Sequence, residues 1–292
     1  MATSKGQRYL GIAFFLTLAF CVIEYAGGVF TGSLSLIADA GHMVADLGAL
    51  GLAFFAAWFA GKKPTSKMTF GYHRIEVLTA LVNAALLITI AIGICREGLE
   101  RLSSETPIRG DVMIVIATAG FIVNVVIGAM LFKQSRENIN IAAAFYHVLS
   151  DALSSVGVIA AGIVVSVTQW YLMDSIVSFL IAVLISTSAL KLLKSVVPVL
   201  MEASPPHIDT GELERQVTAV DGVSALHDLH VWTISPGKES LSAHIEVKDE
   251  ADRDQILDKV EALLSREFNI THTTLQIERT NRPRKTENHF HP

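Results

Sequence analysis

The chain has 292 residues, 51% of them hydrophobic and 17% charged, with a formal net charge of −5. A mean hydropathy of +0.46 is too apolar for an ordinary soluble protein of this length and fits a membrane protein that carries a soluble part. Cys21 and Cys95 both fall in apolar stretches, so no disulfide framework is expected, and the mildly acidic balance goes with no nucleic-acid partner.

Met1 to Arg8 is short and polar, and the apolar run after it lacks a small-residue cleavage pattern, so it reads as an uncleaved first span. Six runs are long and apolar enough to cross a bilayer as helices. Their expected limits are Leu10–Phe30, Ser35–Ala60, Ile75–Leu99, Val112–Phe132, Ile141–Gln169 and Leu172–Leu193. Lys5, Arg8, Lys62, Lys63, Lys67, Arg74, Lys133, Arg136, Lys191 and Lys194 flank one side of these spans. Turns on the other side are nearly uncharged or mix Arg96, Arg101 and Arg109 with Glu97, Glu100, Glu105 and Asp111. Basic flanks mark the cytoplasmic side, so both chain ends are expected in the cytoplasm.

In the second span His42 and Asp46 stand four residues apart among apolar neighbours, which puts them on one helical face, one turn apart. The fifth span repeats the pattern with His147 and Asp151. An ionisable side chain in the bilayer core costs several kcal/mol and so faces a partner or a water-filled cavity. One such pair is accounted for by interhelical hydrogen bonding, but two copies in two spans are harder to dismiss. Brought together by helix packing, two imidazoles and two carboxylates complete a tetrahedral site suited to Zn²⁺. Neither copy is His-Glu-x-x-His, and no Ser or Cys nucleophile stands near a base at a recognisable spacing, so the reading is transport and not hydrolysis. Asp39 shares the face of Asp46 and is expected towards the outer mouth, lining an exit path or bonding a neighbour. Of the other polar residues in or beside spans, Glu24 is unassigned, Asn83 and Asn124 suit interhelical hydrogen bonds, and Asp174 suits the outer interface.

After Leu193 the character changes. Pro198, Pro205 and Pro206 punctuate a connector, and Asp209 or Thr210 can cap a helix running to about Ala219. Val223–Ile234 and Ser240–Val247 alternate as strands around the turn Ser235-Pro236-Gly237-Lys238. Asp252–Phe268 has helical periodicity, and Thr273–Glu278 returns as a strand. Helix–strand–strand–helix–strand is an α+β layer with the helices on one face of the sheet. His227, His230, His244, His272 and Glu278 fall in this part. Three-residue spacing sends His227 and His230 to opposite faces of a regular strand, and Leu275 and Ile277 take the core side, leaving Gln276 and Glu278 on the other. Polar Asn281 to Pro292 reads as a disordered tail, with His289 and His291 incidental. The expected domains are 1–197 in the membrane, 198–280 as a soluble metal-binding domain, and 281–292 as the tail.

The stretches Gly32 to Asp46, Phe70-Gly71-Tyr72-His73-Arg74-Ile75-Glu76-Val77-Leu78, Tyr146-His147-Val148-Leu149-Ser150-Asp151 and His227-Asp228-Leu229-His230-Val231-Trp232 together resemble the cation diffusion facilitators. The resemblance covers nearly the whole chain, with the motifs in the expected order. It implies six membrane helices, a cytoplasmic metallochaperone-like (ferredoxin-like) α+β domain, and a homodimer in the lipid bilayer that exchanges divalent cations for protons. His42, Asp46, His147 and Asp151 match the transport site one for one, with the composition of the zinc-transporting branch. In the soluble domain the pattern is closer to relatives that use His230, His244, His272 and Glu278, with His227 as a possible extra ligand. A second branch has a His at the position of His227 and a His-x-Asp at Gln276 to Glu278, where Gln276 is a poor ligand.

Two departures narrow the expectation. The loop Gly61 to Phe70 lacks His and Asp, leaving His73 as a weak candidate, and Lys133 to Asn140 is too short for a His-rich loop. The resulting reading is a Zn²⁺/H⁺ antiporter that exports zinc from the cytoplasm by alternating access, in the cell membrane if the source is bacterial. Cd²⁺ and Co²⁺ are lesser substrates on ligand chemistry, and a second zinc is structural or regulatory in the soluble domain. The alternative is a non-transporting membrane zinc sensor that signals through its cytoplasmic domain.

Overall fold

Apolar runs with few charges have one low-energy form in hydrocarbon, the helix, because it satisfies every backbone hydrogen bond within the segment. The computed structural model describes residues 4–103, 106–136 and 139–279, and there the six expected runs are long helices. They are α1 (Ser4–Thr31), α2 (Leu34–Ala60), α3 (Ile75–Leu102), α4 (Gly110–Ser135), α5 (Ile139–Thr168) and α6 (Leu172–Leu200). The expected tail, with His289 and His291, lies outside the described residues. The last span overruns its expected end at Leu193, because Pro198 is accommodated inside the final helical turn. A proline there lacks only its own N–H, and its carbonyl still accepts from Ala203 N at 2.9 Å.

Two compact units divide the chain. One comprises the residues up to Ala56 with Thr79–Leu193; the other joins Ala57–Leu78 to the residues from Lys194 onward. The first unit has a core of small and branched side chains, among them Leu36, Ala38, Ala91, Ala117, Ala161 and Ile185. Its outside is apolar as well, with Phe15, Phe54, Val115 and Val167 each at least 68% exposed. Surfaces of that kind suit lipid and not water, and the protein is an integral membrane protein. Helices α4 and α5 approach closely at Gly110, where an added Cβ would lie 2.8 Å from Ser166 N and 2.9 Å from Gly162 O. Small residues at such a crossing let backbones meet where no hydrophobic effect drives the association.

Asp174, in the first turn of α6, is fully buried. It caps a helix other than its own, accepting from Leu34 N (2.7 Å), Ser35 N (3.2 Å), Ser33 Oγ (2.7 Å) and Ser35 Oγ (2.6 Å) at the start of α2. Arg101 of α3 lies 3.8 Å from the same carboxylate and donates to the Gly32 carbonyl at 2.6 Å. A carboxylate at a helix N-terminus meets both the unpaired N–H groups and the positive end of the dipole. Asn83 is buried, and its Oδ1 has no hydrogen-bond partner among the described residues.

The second unit contains α7 (Thr210–Thr218), β1 (Val223–Ser235), β2 (Lys238–Val247), α8 (Arg253–Phe268) and β3 (His272–Arg279). Asp209 is the α7 cap, accepting from Gly211 N and Glu212 N; Asp252 caps α8, and Asn269 ends it in the left-handed region. Next to the cap, the Arg215 guanidinium holds the exposed Glu212 carboxyl below the usual carboxylate range. The sheet order is β1-β2-β3, with β1 antiparallel and β3 parallel to β2. Leu241, Ala243, Ile245 and Val247 alternate onto the helix-covered face with Leu213, Val217, Val260 and Leu264, so the intervening His244 and Glu246 face the opposite way.

Asp174→Ala strips a buried cap, leaves two N–H groups of α2 unpaired, and strands Arg101. The expected cost is about 3 kcal/mol or more, read as a lower thermal unfolding midpoint in detergent.

Candidate metal sites

The four membrane residues converge. On α2, the four-residue spacing sets His42 Nε2 3.5 Å from Asp46 Oδ2; on α5, it sets His147 Nε2 3.6 Å from Asp151 Oδ2. Between the helices, His147 Nε2 lies 3.3 Å from Asp46 Oδ2, and His42 Nε2 lies 4.0 Å from Asp151 Oδ1. Imidazole and carboxylate therefore alternate around a closed ring of four, with the two imidazole centroids 6.0 Å apart. These separations exceed a good charge-assisted hydrogen bond, which runs about 2.7–2.9 Å. They approach the edge of a coordination tetrahedron, about 3.3 Å when each metal–ligand bond is about 2.0 Å. Asp151 is buried while His147 is part-exposed, so the ring is open on one side and closed on the other.

Asp39, one turn before His42, accepts from Ser154 Oγ of α5 at 2.7 Å and is nearly fully buried. Glu24 of α1 has no exposure at all, and neither of its oxygens has a hydrogen-bond partner among the described residues. Nothing in the spacing of Glu24 marked it out. Only its charge in an apolar run was a signal.

In the second unit the structure rearranges the expected set. His227, His244 and Glu278 come together, each offering a ligand atom within 4.8 Å of the others. His227 Nε2 is 3.7 Å from Glu278 Oε2 and 3.7 Å from Glu246 Oε1, and His244 Nδ1 is 3.9 Å from Glu278 Oε1. The buried His227 Nε2 has no hydrogen-bond partner among the described residues. His227 thus moves from extra ligand to the centre of the group. His230 and His272 lie outside it, although both had been expected as ligands with His244 and Glu278.

The cause is a bulge. The register slips between His227, opposite His244, and His230, opposite Ser242, so the two histidines share a face and do not alternate. Asp228 sits in the slip at φ 52°. Its carboxylate reaches both His230 Nε2, at 3.2 Å, and His244 Nε2, at 3.7 Å. His272 pairs with Ser240, four positions before Gln276, which pairs with His244; that offset is about 13 Å along a strand. There His272 meets Phe70 edge-to-face at 5.6 Å, while His73 Nε2 takes a 2.7 Å contact from Lys238 Nζ.

The family model described as the cation efflux transmembrane domain matches residues 10–201, and that of the cation efflux protein cytoplasmic domain matches residues 205–280. The metal cation efflux system protein CzcD of Cupriavidus metallidurans is 40% identical over 274 residues, covering 93% of this chain and 86% of the relative. The zinc transporter ZitB of Escherichia coli is 39% identical over 276 residues, 94% of this chain and 88% of the relative. A cadmium, cobalt and zinc/H⁺-K⁺ antiporter of Bacillus subtilis is 36% identical over 290 residues, 98% and 91%. A solved structure of the metal-bound C-terminal domain of CzcD aligns over 24% of this chain and 99% of its own at 36% identity, with a TM-score of 0.24.

Proposed function

The chain belongs to the cation efflux family, the cation diffusion facilitators, and we propose that it exports Zn²⁺ from the cytoplasm in exchange for protons. It is a transporter and not an enzyme. The observation that supports zinc at His42, Asp46, His147 and Asp151 is their closed ring of nitrogen–oxygen separations of 3.3 to 4.0 Å. Two nitrogens and two oxygens in a small tetrahedron favour Zn²⁺, with Cd²⁺ and Co²⁺ behind it, over Mg²⁺ and Ca²⁺, which prefer more oxygens. Imidazole and carboxylate take a metal only when deprotonated, so protons and zinc displace one another at the same atoms. Alternate exposure of the ring to the two sides of the membrane turns that competition into exchange. The basic flanks put both chain ends in the cytoplasm, and the cell membrane follows if the source is bacterial.

His227, His244 and Glu278 make a second, non-transporting site whose ion would join all three strands. Asp228 and Glu246 are close enough to orient or complete it. Zinc there shifts the population of transport-competent molecules without crossing the bilayer. A homodimer through the second unit fits the match to the family's cytoplasmic domain, with Trp232 on β1 a half-buried candidate for the contact.

Flux into proteoliposomes, followed by a zinc indicator under a pH gradient, tests the main reading; a zinc sensor would show none. Asp46→Ala and Asp151→Ala are each expected to abolish flux in protein that still folds, because an open shell leaves an unpaired charge in low dielectric. His42→Asp should broaden ion preference towards Cd²⁺ or Mn²⁺, and unchanged preference counts against His42 as a ligand.

The second site separates from the first by calorimetry on the full chain. His227→Ala or His244→Ala should weaken the cytoplasmic zinc affinity by about tenfold or more, while His272→Ala leaves it within about threefold. Flux at saturating zinc should survive all three.

A further inference from the structure

We infer that Ser154 is a positioning residue for the membrane ring, and that its hydrogen bond to Asp39 sets the ring's preference for a small ion by fixing the register of α2 against α5. This role presupposes that His42, Asp46, His147 and Asp151 hold the metal, as proposed above. The two helices face each other as a ladder of three polar rungs. Asp39 stands across from Ser154, His42 from Asp151, and Asp46 from His147. Steps of three and then four residues along α2 are matched by the same steps back along α5, so the helices run antiparallel in one register. Exposure falls along the ladder, from the part-exposed Asp46 and His147 to the buried Asp39.

Of these rungs only one is closed without a metal: Ser154 Oγ donates to Asp39 Oδ1 at 2.7 Å. The other two stand at 4.0 and 3.3 Å, and His42 Nδ1 and Asp46 Oδ2 are buried with no hydrogen-bond partner among the described residues. Within each helix the edges of the ring follow from the four-residue spacing, at 3.5 and 3.6 Å, and change little when the helices move. The two edges between helices are the ones that register lengthens or shortens. Zn²⁺ draws both towards about 3.3 Å, whereas Cd²⁺, a larger ion, takes longer ones. The Ser154–Asp39 bond stands three residues, about 4.5 Å, along from the His42–Asp151 rung. A slide of α2 against α5 therefore stretches the bond and the ring together. A donor on α2 itself would satisfy the Asp39 carboxylate equally well; a donor on α5 also ties the two ligand-bearing helices.

Calorimetry on the full chain, with His227→Ala and His244→Ala removing the cytoplasmic site, reads the membrane ring, and loss of the zinc heat on adding Asp151→Ala identifies it. In that background Ser154→Ala is expected to weaken Zn²⁺ by about tenfold and Cd²⁺ by less than about threefold. Ser154→Thr, which keeps the hydroxyl, should hold both affinities within about twofold of the native serine. Because Ser154→Ala strands a buried carboxylate, the double variant Ser154→Ala/Asp39→Ala, which removes both partners, guards against loss of folding. It should show the same selective loss of zinc. A zinc-to-cadmium affinity ratio unmoved in the folded double variant, or an equal loss of both ions, overturns the tie; the bond then serves only to satisfy Asp39 or to hold the fold. Zinc heat that survives Asp151→Ala instead defeats the ring as the metal site, and the role of Ser154 falls with it.

Discussion

A carboxylate among membrane helices needs a partner, and the available partners are few. Lys and Arg are scarce in the spans, so the membrane unit meets the need in two ways. Asp46 and Asp151 are set against imidazoles that can yield to a metal. Asp174 is set against backbone N–H groups, serine hydroxyls and one guanidinium. The first arrangement is exchangeable, the second is fixed, and only the second depends on a permanent cation. The division between moving and stationary charge in this unit follows from which partner each acid was given.

Helix α2 carries both arrangements in order along its first turns. Its N-terminus is pinned by Asp174, Asp39 follows one turn later, and His42 and Asp46 complete the sequence on the same side. The pinned end gives the helix a fixed reference, so small changes in its tilt are read out as changes in the distance from Asp46 to His147. Close contact at Gly110 and Gly162 holds α5 to α4 in the same unit, which keeps His147 and Asp151 from following α2 freely.

Periodicity and charge were enough to find the six spans, the fold of the soluble layer and the membrane ring, because each depends on local spacing. Four residues apart on a helix means one face, and the structure adds only that the two faces meet. The soluble cluster was legible in residue type but not in membership. His227 and His230 were placed on opposite faces by a two-residue period that holds only in a regular strand. One extra residue at the bulge, marked by the positive φ of Asp228, removed the alternation and brought in a carboxylate that spacing had not suggested. His272 stands apart from the cluster for a different reason: the offset of β3 against β2 is a tertiary fact that no local pattern encodes. Asp174 was visible as a charge in an apolar run, but its partners lie on other helices.

Among the described residues the strand β3 has a neighbour on one side only, and it brings Glu278 to a cluster whose histidines come from β1 and β2. An edge strand held by eight residues of parallel pairing is the part of a small sheet that opens first, exposing its amides to exchange with solvent. An ion bound across the three strands would make that opening contingent on losing the metal. Amide exchange along His272 to Arg279 would then slow as cytoplasmic zinc rises, while the α8 core, buried regardless, would keep its rate. Such an edge strand would thus respond to the bound metal through the time its backbone spends unpaired.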